Sequence, residues 1–167
     1  MSQLFETDPI RRSALIKDDY RYLLERYWGE RNLVLFVMLN PSTADGTKDD
    51  PTIRRCIGFA KSNGFLGLRV VNLYAWRATE PQEIFKAADP IGPENDKWID
   101  QAAFTCDTIV AAWGTLGQPE RVHHVMRILE AHKLVYCLGR TKDGHPRHPL
   151  GVNSKRKLER FSLEGGA

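Results

Sequence analysis

The segment "NLVLFVMLNPSTADGTKDDP" carries the strongest constraint in the chain. An unbroken apolar run, Val34 to Leu39, stops at Asn40-Pro41-Ser42 and turns abruptly polar. A strand with apolar residues on both faces belongs inside a sheet that is covered on both sides. "LRVVNLYAW", "DTIVAAWG" and "KLVYCLG" read as three further strands. Between them lie helical patterns. "DDPTIRRCIGFAKSNG" places Pro51 at a helix start, Ile53, Ile57 and Ala60 along one face, and Gly64 at the stop. "PQEIFKAA" reads as a short helix, "GPENDKWIDQAAFTC" as a helix begun by Pro93, and "QPERVHHVMRILEAH" as a helix with Val122, Val125, Met126 and Leu129 at helical spacing. Alternating strands and helices imply parallel strands joined by crossovers, hence an α/β three-layer sandwich around a central, mainly parallel sheet.

The 167 residues fit one α/β domain, 1–167. "DYRYLLERYW" and "RNLVLFVMLN" flank "GER" and predict an N-terminal hairpin over about residues 18–40, with a helical turn as the alternative for the first. The tail from about 152 to 167 is basic and then Gly-rich, and is expected to be flexible. No segment approaches the ~20 apolar residues of a membrane span, so no membrane association is expected. "MSQLFETDPIRR" lacks the apolar stretch of a signal peptide, and the expected location is cytoplasmic. Cys56, Cys106 and Cys137 are scattered and odd in number, which suggests neither a disulfide framework nor a metal site. "GTLGQP" matches neither standard glycine-rich phosphate motif, and no cofactor is expected. The formal charge of +3 permits a polyanionic partner without requiring one.

In sheets of this kind, ligands bind where strands end at their carboxyl edge. The strand ends here are "LNPSTAD", "VNLYAWRATEP", "AAWGTLGQP" and "CLGRTKDGHPRHPLG", which gather Asn40, Ser42, Asn72, Tyr74, Trp113, His145 and His148.

"MLNPSTADGTKDDPTIRRC", "VVNLYAWRATEP", "DPIGPEND" and "GHPRHPLG" together resemble the family called Domain of Unknown Function 1643 over most of the chain. More distantly, the order of the strand-end motifs resembles the uracil-DNA glycosylase superfamily. The shared features are an Asn-Pro corner, a strand ending in Asn, a strand-Gly-helix unit, and a His-Pro loop followed by Leu. That second resemblance implies hydrolysis of an N-glycosidic bond in DNA or a nucleotide. It assigns Asn40 to hold a water near C1′ and His148 to stabilise charge on the departing base. It also implies that Pro41 stiffens the corner, that Ser42 touches phosphate or base, and that Asn72 reads a base edge. Leu150 falls where relatives carry a wedge for the gap left by a flipped nucleotide. "HPRHPLG" lacks the small hydroxyl residues of that loop, and Arg147 is the candidate to replace them. The corner carries Asn where a base would be Asp, leaving Asp45, Asp49 and Asp50 to supply charge.

Each residue also has a plainer reading. Asn-Pro-Ser alone is a turn, Asn72 a structural amide and the loop histidines surface groups, while Tyr74, Trp76 and Trp113 are candidates to stack a base, Tyr74 foremost, or else core aromatics. Two function classes follow: an N-glycosidic-bond hydrolase, or a non-catalytic nucleobase or nucleic-acid binding protein on the same fold. A small-molecule enzyme of another type is a third. A nucleic-acid partner predicts a basic rim of Lys48, Arg54, Arg55, Arg140, Lys142 and Arg147.

Overall fold

A computed structural model describes residues 9–163. Its centre is a seven-stranded sheet, mixed rather than mainly parallel as expected, in the order β1-β2-β4-β3-β5-β6-β7. The strands are β1 (Arg11–Lys17), β2 (Tyr20–Tyr27), β3 (Leu33–Met38), β4 (Gly67–Asn72), β5 (Thr108–Ala111), β6 (Val135–Cys137) and β7 (Glu159–Arg160). The four strands anticipated from apolar runs, β3 to β6, are mutually parallel. The strands outside them, β1, β2 and β7, pair antiparallel. Among the described residues no helix is long and apolar enough to cross a membrane.

Three helices cover the sheet: α1 (Pro51–Ser62), α2 (Asn95–Thr105) and α3 (Pro119–Glu130). Side-chain alternation along β3 separates two cores. Val34 and Phe36 pack with Ile53, Cys56, Ile57 and Ala60 of α1. Leu33, Leu35 and Val37 pack with Ile99 of α2 and with Val125 and Leu129 of α3. Every residue of β3 is buried, which accounts for its unbroken apolar run. α1 begins at Asp50, whose carboxylate accepts from the Ile53 N–H at 2.9 Å, with Pro51 in the first turn. "PQEIFK" forms a 3-10 turn, Pro81–Lys86, rather than an α-helix.

The hairpin expected over 18–40 does not form. β2 pairs with β1 on one side and β4 on the other, and β4 separates it from β3. The reason is burial. β3, apolar on both faces, takes the middle of the sheet between β4 and β5, whereas β2 carries Arg21, Glu25 and Arg26 and sits further out. β2 instead makes its hairpin with β1, turning at Asp18 with φ of 53°. The tail is likewise integrated as far as residue 163. β7 pairs with β6, and Phe161 is buried edge-on against Trp113. The remainder of the tail, 164–167, lies outside the described residues.

The connections define a crevice. From β3 the chain passes through α1 on one face to β4, and from β5 it passes through α3 on the opposite face to β6. The loops leaving the adjacent carboxyl ends of β3 and β5 therefore diverge, which opens the switch-point cleft typical of α/β sheets.

Candidate functional site

A cavity of ≈ 410 Å³ occupies this crevice. The corner after β3 contributes Asn40 and Ser42, and the turn after β5 contributes Trp113, Gly114 and Thr115. The start of α1 contributes Asp50 and Thr52, the His-Pro loop His148 and Leu150, and β2 contributes Arg21. The volume is that of a small-molecule pocket. A second cavity of ≈ 460 Å³, between α1 and residues 149–154, touches the first at Leu150. The polar side chains converge at the sheet edge.

The corner is held by its own amide. Asn40 Nδ2 donates to the carbonyls of Pro41 at 3.0 Å and Ala78 at 2.9 Å, so both amide hydrogens are engaged and Oδ1 remains as an acceptor. Ala78 N–H in turn donates to Pro41 O at 3.0 Å. The following loop is anchored from below by Arg26, whose guanidinium reaches Asp49 Oδ1 and the carbonyls of Asp45 and Lys48. Of the three candidate acids, Asp45 caps Thr47 and Lys48 N–H groups, Asp49 is paired with Arg12 and Arg26, and Asp50 lines the cavity.

The His-Pro loop is brought to the cavity by two ties. Gly114, at φ of 73°, donates its N–H to Pro146 O at 2.8 Å, and Arg147 N–H donates to Gly139 O at 3.0 Å. His148 is half-buried, and its Nδ1 accepts from the Leu150 N–H at 3.2 Å. In the neutral ring the proton then sits on Nε2. Burial pushes the imidazole below its ordinary pKa, with the Asp50 charge opposing. A neutral ring that donates from Nε2 can stabilise a developing anion.

Arg21 and Asp50 complete the site, and sequence reasoning passed over the former. Arg21 is 2% exposed, although it lies on a strand. The β1–β2 register steps from Leu15↔Leu23 to Ile16↔Arg21, so Tyr22 is an extra residue on β2. Such a bulge reverses the alternation beyond it. Leu24 packs in the α1 core, and the inserted residue lets Arg21, three positions earlier, point to the same side and into the cavity at the α1 start. Its Nη1 donates to Ala44 O at 3.0 Å while Nε has no partner. Burial lowers its pKa to about 10, partly offset by Asp50. The guanidinium stays charged at neutral pH.

Of the residues singled out in the sequence, Asn40, Ser42, Asp50, Trp113, His148 and Leu150 share the cavity. Others do not line it, and His145 borders a separate cavity with His123 of α3. Pro41 is buried beside it. Asn72 is 1% exposed on the same face as Met38, with both amide atoms unpartnered. Tyr74 is a core residue on the opposite face, its hydroxyl accepting from Gln118 N–H at 3.0 Å and its ring edge-on to Phe85. Arg147 is half-buried on the His-Pro loop, held there by its backbone. All three cysteines are buried and free, and burial raises each thiol pKa.

No curated protein and no solved structure matches the chain. A family model does match, over residues 21–150, a span that begins at the cavity's Arg21 and ends at its Leu150. The chain belongs to the family described as "Protein of unknown function (DUF1643)".

Proposed function

We propose that this protein hydrolyses the N-glycosidic bond of a nucleobase in DNA or a nucleotide, on a three-layer α/β/α architecture of the uracil-DNA glycosylase plan. The observation that carries the reading is that Asn40 and His148, from different strand ends, line one cavity with room for a nucleobase. Support for the architecture comes from parallel β3 to β6 with α1 on one face and α2 and α3 on the other.

In the proposed reaction, Asn40 Oδ1 accepts a hydrogen bond from a water and aims its oxygen at C1′. As the C1′–N bond breaks, its electron pair leaves with the base and the sugar gains oxocarbenium character. His148 Nε2–H donates to the base oxygen on which that charge collects. The water oxygen bonds to C1′, one water proton passes to solvent, and the base takes up a proton, giving a free base and a sugar hydroxyl. Catalysis of this kind rests on positioning and electrostatics, because Asn cannot serve as a strong base.

One observation favours the second reading, a non-catalytic nucleobase-binding protein. Asp50 is the only carboxylate lining the cavity among the described residues, and it already caps α1. A nucleic-acid partner is supported by Lys48, Arg54, Arg55, Arg140, Lys142 and Arg147, none of which joins an ion pair among the described residues. Incubation of the protein with single- and double-stranded oligonucleotides bearing uracil, mismatches or modified bases, followed by detection of abasic sites, tests the first reading. Salt-dependent binding without cleavage across that panel would select the second.

A further inference from the structure

We infer that Arg21 and Asp50 form a donor–acceptor pair that reads a lactam edge, a ring carbonyl beside a ring N–H, on a neutral base held in the cavity. The inference rests on the reading of the cavity as a nucleobase site, and it deepens that reading by naming which bases fit.

Arg21 and Asp50 bracket one residue. Arg21 Nη1 donates to the Ala44 carbonyl at 3.0 Å, and the Ala44 N–H donates to Asp50 Oδ2 at 3.4 Å. Both side chains line the cavity, and both are buried, at 2% and 9% exposure. They make no direct ion pair, yet Asp50 is the strongest charge acting on Arg21. A buried guanidinium has five N–H donors. Here the Ala44 carbonyl is its only acceptor among the described residues, and Nε is left without one. A buried charge in that state is costly unless something supplies the missing bonds.

The charge balance decides what supplies them. Asp50 offsets Arg21, and the burial of His148 favours its neutral form, so the cavity does not call for a net anion such as phosphate. It calls for a neutral group that offers an acceptor to Arg21 and a donor to Asp50. Asp50 Oδ1 is committed to the Ile53 N–H at 2.9 Å, while Oδ2 has only its long contact to Ala44 and is open to a ligand donor. Uracil presents such an edge. Cytosine does not, because its ring nitrogen beside the carbonyl is an acceptor and would face the carboxylate.

Asp50→Asn provides the decisive variant. Asn caps a helix about as well as Asp, so α1 retains its start, while the group facing the ligand changes from acceptor to donor. Binding of deoxyuridine, deoxycytidine and inorganic phosphate to wild type, Asp50→Asn and Arg21→Gln is followed by ligand-observed NMR, with circular dichroism confirming the fold of each variant. Wild type should prefer deoxyuridine, and Asp50→Asn should move the preference toward deoxycytidine by ~10-fold or more, as expected where a buried polar site meets the wrong partner. Arg21→Gln should weaken deoxyuridine binding. An unchanged preference in folded Asp50→Asn overturns the lactam reading and leaves the nucleobase reading standing. Phosphate that competes with deoxyuridine in wild type and no longer binds Arg21→Gln overturns it in favour of an anion site. Failure of both nucleosides to bind wild type removes the nucleobase reading and this inference with it.

Discussion

Arg26 Nε and Asp49 Oδ1 stand 2.7 Å apart beneath the loop that carries the site, with the Arg26 side chain entirely buried. The same guanidinium donates to the carbonyls of Ser13, Glu25, Asp45 and Lys48, so one side chain ties β1, β2 and the loop together. Arg26→Ala should destabilise the fold by ~3–5 kcal/mol, because it leaves several carbonyls unpaired and Asp49 with only the more exposed Arg12 as a partner. Urea denaturation monitored by tryptophan fluorescence measures this, and a loss within ~0.5 kcal/mol would show that the tie is dispensable.

Asp49 also sets an acid limit. Burial alone raises its pKa, but the hydrogen bonds from Arg12 and Arg26 outweigh burial and hold the carboxyl below its usual value. A depressed folded pKa contributes stability that is present above the unfolded pKa of about 4 and is lost as pH falls through the folded value. The Asp49→Asn variant should be less stable at neutral pH and show a shallower loss of stability below pH of about 4.

The pH dependence of His148 lies in a different window. Burial lowers its pKa, the Asp50 charge opposing, so the unfolded state binds a proton at higher pH than the folded state does. Stability from this group is complete above the unfolded value of about 6.5 and declines as pH falls from there through the folded value. His148→Gln should remove that component. Thermal melts between neutral and mildly acidic pH, with equal slopes in wild type and variant, would contradict it.

On a confirmed substrate, Asn40→Ala and His148→Ala should each lower the single-turnover rate by ~100-fold or more, the scale of one preorganised transition-state contact. Binding should be less affected than turnover. Leu150→Ala should impair duplex more than single-stranded substrates, since Leu150 is about half exposed at the rim and a wedge matters only when a base must leave a stack. His124→Ala is the control, because His124 lies on α3 against Asp96 at 2.8 Å, away from the cavity. Rates equal to wild type for Asn40→Ala and His148→Ala would exclude both from the chemistry.

Asn72 should be dispensable. Its amide is buried with neither atom partnered, and it does not line the cavity. Asn72→Leu replaces that amide by an apolar side chain of similar size, and should leave stability within ~1 kcal/mol of wild type and turnover unchanged. A large loss of turnover in a stable Asn72→Leu protein would return Asn72 to the site.

Much of the architecture was legible because its signals are local. The apolar run of β3, the Asp50-Pro51 start of α1 and the helical spacing of Val122, Val125, Met126 and Leu129 each identify an element within one window. The placing of Asn40 and His148 at one edge followed from reading the strand ends together, since crossover connections carry such ends to the same side. Strand order was not legible. Nothing in "DYRYLLERYW" reveals that β4 enters between it and β3, because pairing depends on which partners complete the burial of both faces of β3.

The sequence by itself determined the alternation of elements and the polar corner at Asn40-Pro41-Ser42, since both are written in residue types and their spacing. The tertiary structure alone decided that Arg21 lines the cavity and that Asn72 does not. An inserted residue at Tyr22 turns Arg21 toward the start of α1, whereas the register Met38↔Asn72 leaves the Asn72 side chain buried outside the cavity. Because alternation has a period of two, a single inserted residue reverses a side chain's destination, and only long-range pairing tells where that insertion falls.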